Sequence, residues 1–123
     1  MDIAQLKPIE IEHEVTHPGT GEGTGLFLQI ACIHDSRVKS GIRAATDQNL
    51  ADADEEKSPE KDEQYDNEVA AAYIVGFRFE GEATWNGETP EYSRKIAIEM
   101  ASNPVIKQQL LNRARKIGDF YKA

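Results

Sequence analysis

Four side chains in the first third of the chain, His13, His17, Cys32 and His34, have the chemistry to hold a metal. Residues two or four apart on a strand share a face, so paired strands carrying these four could converge them. The spacing matches no finger and no catalytic zinc motif, and structural zinc usually recruits more cysteine. A lone cysteine in an apolar run is ordinary core, so no metal site is expected. His34-Asp35-Ser36 contains the residue types of a hydrolase triad. Neighbours in sequence cannot form that relay, and Ser36 is better explained as a helix cap. Gly19-x-Gly21-x-Gly23-x-Gly25 invites a phosphate-binding reading but lacks the Gly-Lys-Ser/Thr ending of a P-loop. It joins two predicted strands, so no helix N-terminus faces a phosphate, and it reads as a hairpin loop. Paired carboxylates need burial to separate their pKa values, and the acids here crowd a hydrophilic run. The chain is read as a non-enzyme without cofactors.

The elements that must position these residues follow from periodicity. Ile9 to Thr16 alternates apolar and polar residues, the mark of a half-buried strand. Gly25 to Ile33 is apolar on both faces, so it belongs in the middle of a sheet or under a helix. Pairing the two sets Leu26, Leu28 and Ile30 opposite the Ile9, Ile11 and Val15 face. Asp35 or Ser36 can cap a helix carrying Val38, Ile42, Ala45 and Leu50 on one face. Gly41 weakens that helix by roughly 1 kcal/mol relative to Ala. Asp66 or Asn67 can cap a second helix, apolar all round from Val69 to Val75, as a central core helix must be. Thr89-Pro90 and Asn103-Pro104 each pair a cap with proline in the first turn. The first starts a helix with Tyr92, Ile96 and Met100; the second carries the stripe Ile106, Leu110, Ala114, Ile117 and Phe120.

These segments predict an α+β fold: an N-terminal antiparallel β-hairpin on about four α-helices, with a mobile acidic loop between the first two. Strands are expected over 9–17 and 25–34, helices over 36–50, 67–77, 90–102 and 104–121, and the loop over 52–65. At 123 residues the chain suits one domain. No apolar run approaches the roughly 18 residues of a membrane span, and no signal-like N-terminus is present. A single cysteine points to a reducing compartment.

The formal net charge is −8, and all of it lies between Asp47 and Glu68, where ten acids meet two lysines. A sequence pI near 4.8 argues against a nucleic-acid binder, which needs a basic face. The block reads as a solvated linker or, for a basic partner, a docking loop formed by Asp54, Glu55, Glu56, Glu60, Asp62 and Glu63. From Arg94 to Lys122 the balance reverses to seven bases and two acids, a pattern that favours self-association.

Several of these pieces, in order, resemble the tail assembly chaperones of long-tailed bacteriophages. Thr16-His17-Pro18-Gly19-Thr20-Gly21-Glu22 followed by Gly25-Leu26 is similar to their opening of strand, Pro-x-Thr-Gly-Glu and Gly-apolar strand. Asp35-Ser36 matches the Asp-Ser at the start of their first helix. Val75-Gly76-Phe77 stands where they commonly carry Gly-Trp, after a variable charged stretch that is unusually acidic here. Trp85-x-Gly87, Tyr92-Ser93, Asn103-Pro104-x-Ile106, Gln109 and Phe120 fit the closing half.

The resemblance implies a binding protein that coats the aggregation-prone tape measure protein, helps recruit tail tube subunits and leaves the finished tail. It places the protein in the cytoplasm of the infected bacterium and outside the mature virion. Many such chaperones also have a longer frameshifted form; a chain ending at Lys122-Ala123 looks like the short one. The stripe residues Ile106, Leu110, Ile117 and Phe120, with Arg113 off the stripe, are the expected partner contact, as an amphipathic helix meeting an apolar groove. The same stripe in so small a chain also reads as internal core. Alternative readings are an acidic inhibitor that mimics DNA, a head–tail connector or minor tail protein, and a small metal-dependent enzyme.

Overall fold

The computed structural model describes residues 1–51 and 58–121. Three strands, β1 (Ile11–Thr16), β2 (Gly23–Ile30) and β3 (Ile74–Phe79), form one antiparallel sheet in the order β1-β2-β3. Four helices complete it: α1 (Ser36–Ala51), α2 (Pro59–Ala72), α3 (Arg94–Ser102) and α4 (Pro104–Ala114). Short 3-10 turns occupy Ile3–Gln5 and Ile117–Phe120. The fold is α+β, as the periodicity predicts.

The hairpin forms, but over Ile11–Thr16 and Gly23–Ile30 rather than 9–17 and 25–34, so Ile9 lies outside the ladder and is exposed. Ile11 pairs with Ile30 and His13 with Leu28, and the turn closes with His17 N–H donating to Glu22 O at 2.8 Å. Beyond Glu14 the register shifts, and two side chains take up the freed backbone groups. Thr24 Oγ1 donates to Val15 O at 2.7 Å, and Glu14 accepts from Gly25 N–H at 3.1 Å. β2 is the middle strand, which its apolar character on both faces anticipated.

The third strand is a correction. A helix was expected through residue 77, but α2 ends at Ala72 and Ile74 to Phe79 pairs with β2. The missing force is non-local: a half-paired apolar β2 gains a ladder of hydrogen bonds from a second neighbour. Ile-Val-Gly-Phe-Arg-Phe is rich in β-branched and aromatic residues and supplies that neighbour. Val75 is the extra residue of a bulge, since Gln29 and Ile30 pair with Gly76 and Ile74.

Three boundaries also move. α2 starts at Pro59 rather than near residue 67, because Ser58 Oγ accepts from Lys61 N–H and proline fits the first turn. Glu60 and Asp62 then lie in the first turn, where negative charge complements the helix dipole. α3 is capped by Ser93, not Thr89. The Trp85–Glu88 bridge and the Tyr92 hydroxyl on Ile74 O (3.0 Å) tie the preceding segment down in a non-helical path. α4 stops at Ala114 rather than running to 121. The chain then turns so that Phe120 is fully buried and its carbonyl accepts from Ile9 N–H at 2.8 Å.

The core joins Leu26, Leu28, Ile30 and Ile74 of the sheet to Met100, Ala101, Ile106, Leu110 and Phe120 of the helical layer. Gly41 has a use that its low helix propensity hides: a Cβ there would lie 2.8 Å from that of Ala72. Its absence lets α1 and α2 pack backbone to backbone.

Candidate functional site

The metal-type residues do not converge. His13 lies against α4, His17 accepts from Gly19 and Thr20 N–H through Nδ1, Cys32 is buried, and His34 meets the Tyr121 ring edge-on. Among the described residues no group of three His, Cys, Asp or Glu could hold a metal ion. The glycine-rich stretch is the hairpin turn and the start of β2.

Asp35 and Ser36 open α1. Asp35 Oδ1 accepts from Arg37 N–H at 2.8 Å, and the Arg37 side chain donates to both carboxylate oxygens. The Arg37 guanidinium, against a smaller opposing effect of burial, holds the Asp35 carboxyl below the usual carboxylate range. A depressed native pKa adds stability that is present above the unfolded value of about 3.9 and lost as pH falls through the native one. Asp35→Asn keeps a good cap and removes the charge. We expect it to be less stable than wild type by about 1 kcal/mol at pH 7. The gap should narrow as pH falls below about 4 and close only below the lowered native value, where the folded wild-type carboxylate takes up its proton. Urea titrations at pH 7 and pH 3 check this; a gap that stays constant would remove Asp35 as the source.

Gln109 is a better-placed residue than any of the titratable ones. Its Oε1 accepts from Thr16 N–H at 3.0 Å while its Nε2 donates to Thr16 O at 2.8 Å. The amide thus acts as one residue of a missing strand on the outer edge of β1. Oε1 also faces His13 Nε2 at 3.0 Å, and Arg113 approaches His13 Nδ1 at 3.2 Å. An amide oxygen only accepts and a guanidinium only donates, so His13 carries its proton on Nε2.

The stripe expected to meet a partner is largely internal. Ile106 is 5% exposed, and Leu110 and Phe120 are fully buried. Ile117 packs against the same cluster, and Arg113 is half-buried beside His13. With the sheet to cover, α4 turns its apolar stripe inward, and those three buried residues present no surface for docking. The acidic residues divide. Asp54, Glu55 and Glu56 lie outside the described residues, whereas Glu60, Asp62 and Glu63 are exposed on helix α2 rather than in a loop.

Surface suited to another protein lies elsewhere. Met1, Ile3, Leu6 and Ile9 are exposed along the N-terminal segment, and Leu50 is exposed near the end of α1. At the edge of β3, Phe77 contacts Phe79 and Tyr92 with ring centroids 5.8 and 5.6 Å apart, and Tyr92 is 46% exposed. Sequence reading missed this aromatic edge, although Phe77-Arg78-Phe79 alternates with period two. On the open face of the sheet, Arg78 lies 4.0 Å over the Phe27 ring and pairs with Glu12 and Glu80. That pairing lowers the Glu12 pKa. Set against known proteins, the chain matches no family model, no curated protein and no solved structure.

Proposed function

We propose that this chain is a tail assembly chaperone of a long-tailed bacteriophage. On this reading it binds and solubilises the tape measure protein and helps recruit tail tube subunits, without catalysis. The observation that carries the reading is the ordered run of family-like motifs along nearly the whole chain. It is supported by the tasks those residues have here. Asp35-Ser36 opens α1, Asn103 caps α4 ahead of Pro104, Gln109 ties α4 to β1, and Phe120 fills the core. Among the described residues no helix is long and apolar enough to cross a membrane, compatible with action in the infected cytoplasm.

Because most of the α4 stripe is core, the partner contact moves to the exposed N-terminal residues Ile3, Leu6 and Ile9, three apart in sequence. Coating a long partner needs many copies of modest affinity, which a short apolar segment suits. Exposed Glu60, Asp62 and Glu63 remain available to a basic partner. Co-expression with the tape measure protein tests this. The expected result is a soluble multi-copy complex, lost on changing Ile3 and Leu6 together to Asp in a chain that still folds. An insoluble tape measure protein beside soluble, folded chain would overturn the coating role.

One observation favours a second reading. α2 fixes Glu60, Asp62, Glu63 and Asp66 at the surface of a regular helix, as a mimic of the DNA backbone requires. Competition between the chain and duplex DNA for a nuclease or repressor would support that inhibitor role instead.

A further inference from the structure

The two edges of the sheet are treated differently. On β1, Thr16 turns its N–H and C=O outward, and Gln109 takes both. The C-terminal segment adds a bond from Ile9 N–H to Phe120 O. On β3, Glu80 N–H donates to Gly25 O at 2.8 Å, which sets the alternation of the ladder. Arg78 and Gly76 therefore face β2, and Phe77 and Phe79 turn their N–H and C=O groups away from it. Among the described residues nothing bonds these outward groups. Further along, the Tyr92 hydroxyl covers Ile74 O and the Val75 bulge interrupts the ladder, so the open stretch is Phe77 to Phe79. The usual protections of an edge, proline or a free lysine, are absent from β3, and its one charge, Arg78, is held by Glu12 and Glu80.

We propose that this edge pairs with the β3 edge of a second copy of the chain, antiparallel about a two-fold axis, to give a continuous six-stranded sheet. A two-fold contact presents the same stretch to itself, so each feature must suit its own copy. With Phe77 opposite Phe77 of the second copy, their outward N–H and C=O groups exchange hydrogen bonds. On the helical side the half-buried Phe77 and Phe79 rings and the exposed Tyr92 gain cover. On the open face Arg78 falls opposite Gly76 of the second copy. Gly76 has no side chain to obstruct it, and Gln29 Oε1 leans across that position, 2.3 Å from where a Cβ would stand. An exposed edge asks for an extended strand rather than a helix, and this self-complementary register supplies one. The proposal stands on the sheet geometry and is independent of the chaperone reading.

Sedimentation and light scattering on the full chain, with wild type, Phe77→Leu and Phe77→Pro, test it. Proline is tolerated on an edge whose N–H the sheet does not use, so Phe77→Pro should keep the wild-type circular dichroism. Wild type and Phe77→Leu should reach twice the 13.7 kDa monomer mass, and Phe77→Pro should remain monomeric at the same concentrations. In wild-type protein the Phe77 amide should also gain protection from hydrogen exchange as concentration rises, a readout that needs no variant. A wild type that stays monomeric, a Phe77→Pro chain that still dimerises, or a Phe77 amide insensitive to concentration would overturn the proposal.

Discussion

Leu110→Asp is expected to leave no cooperatively folded protein. Leu110 is fully buried in the cluster that joins α4 to β2, α3 and the C-terminal turn. The change removes its hydrophobic contacts and puts an unpaired carboxylate in their place, and a buried unpaired charge costs several kcal/mol on its own. Truncation without charge gives a graded version: Phe120→Ala should cost about 3–5 kcal/mol. Domains of this size hold only about 5–15 kcal/mol in total, so Phe120→Ala alone takes a large share of it and Leu110→Asp alone takes all of it. Far-UV circular dichroism with urea titration separates the cases. A folded Leu110→Asp chain with a sharp transition would return the stripe to the surface and restore its residues as partner contacts. That outcome would also reverse the choice of Ile3 and Leu6 as the contact.

Gly25→Ala is the second large effect, and it arises from backbone rather than burial. Gly25 has φ +88°, a conformation in which a side chain collides with its own backbone. That alone costs roughly 1–2 kcal/mol. A Cβ would also stand 2.5 Å from Glu80 O and 2.9 Å from the Ala83 side chain. The first of these is the carbonyl of the residue whose N–H pairs with Gly25 O, so relief means opening the β2–β3 ladder at its end. We expect a loss of about 3 kcal/mol or more, in the range that marks a named structural fault. The change at Gly21, also at positive φ but with open space around it, should cost only the conformational share. Equal losses for the two alanine variants in denaturant titration would show that the Glu80 contact relaxes freely.

Gly25 illustrates how far residue-level reading reaches. A glycine beside a hairpin loop takes positive φ without a side-chain clash, and that much is local. The close approach of Glu80 is not local, because it depends on a third strand that starts nearly fifty residues later. Gly41 follows the same pattern: propensity makes it a weak point in α1, and only the Ala72 contact explains why a small residue suits the place.

What the amino-acid sequence determined by itself is the set of features written in short-range periodicity and end signals. The β1–β2 hairpin, the central place of β2, the start of α1 at Ser36 and the start of α4 at Pro104 all belong there. Each rests on residues within a few positions of one another. The Ser58-Pro59 cap was equally legible, but acidic composition outweighed it, and a helix whose charged face is solvated looks like a loop by hydropathy alone. Tertiary structure decided the rest. Ile74 to Phe79 became a strand because β2 had an unfilled edge, and the α4 stripe became core because the sheet needed cover. Gln109 became an edge cap because Thr16, distant in sequence, turned its backbone toward it. Hydrogen bonds and apolar area are satisfied wherever the folded chain brings partners together, and those partners lie beyond any local window.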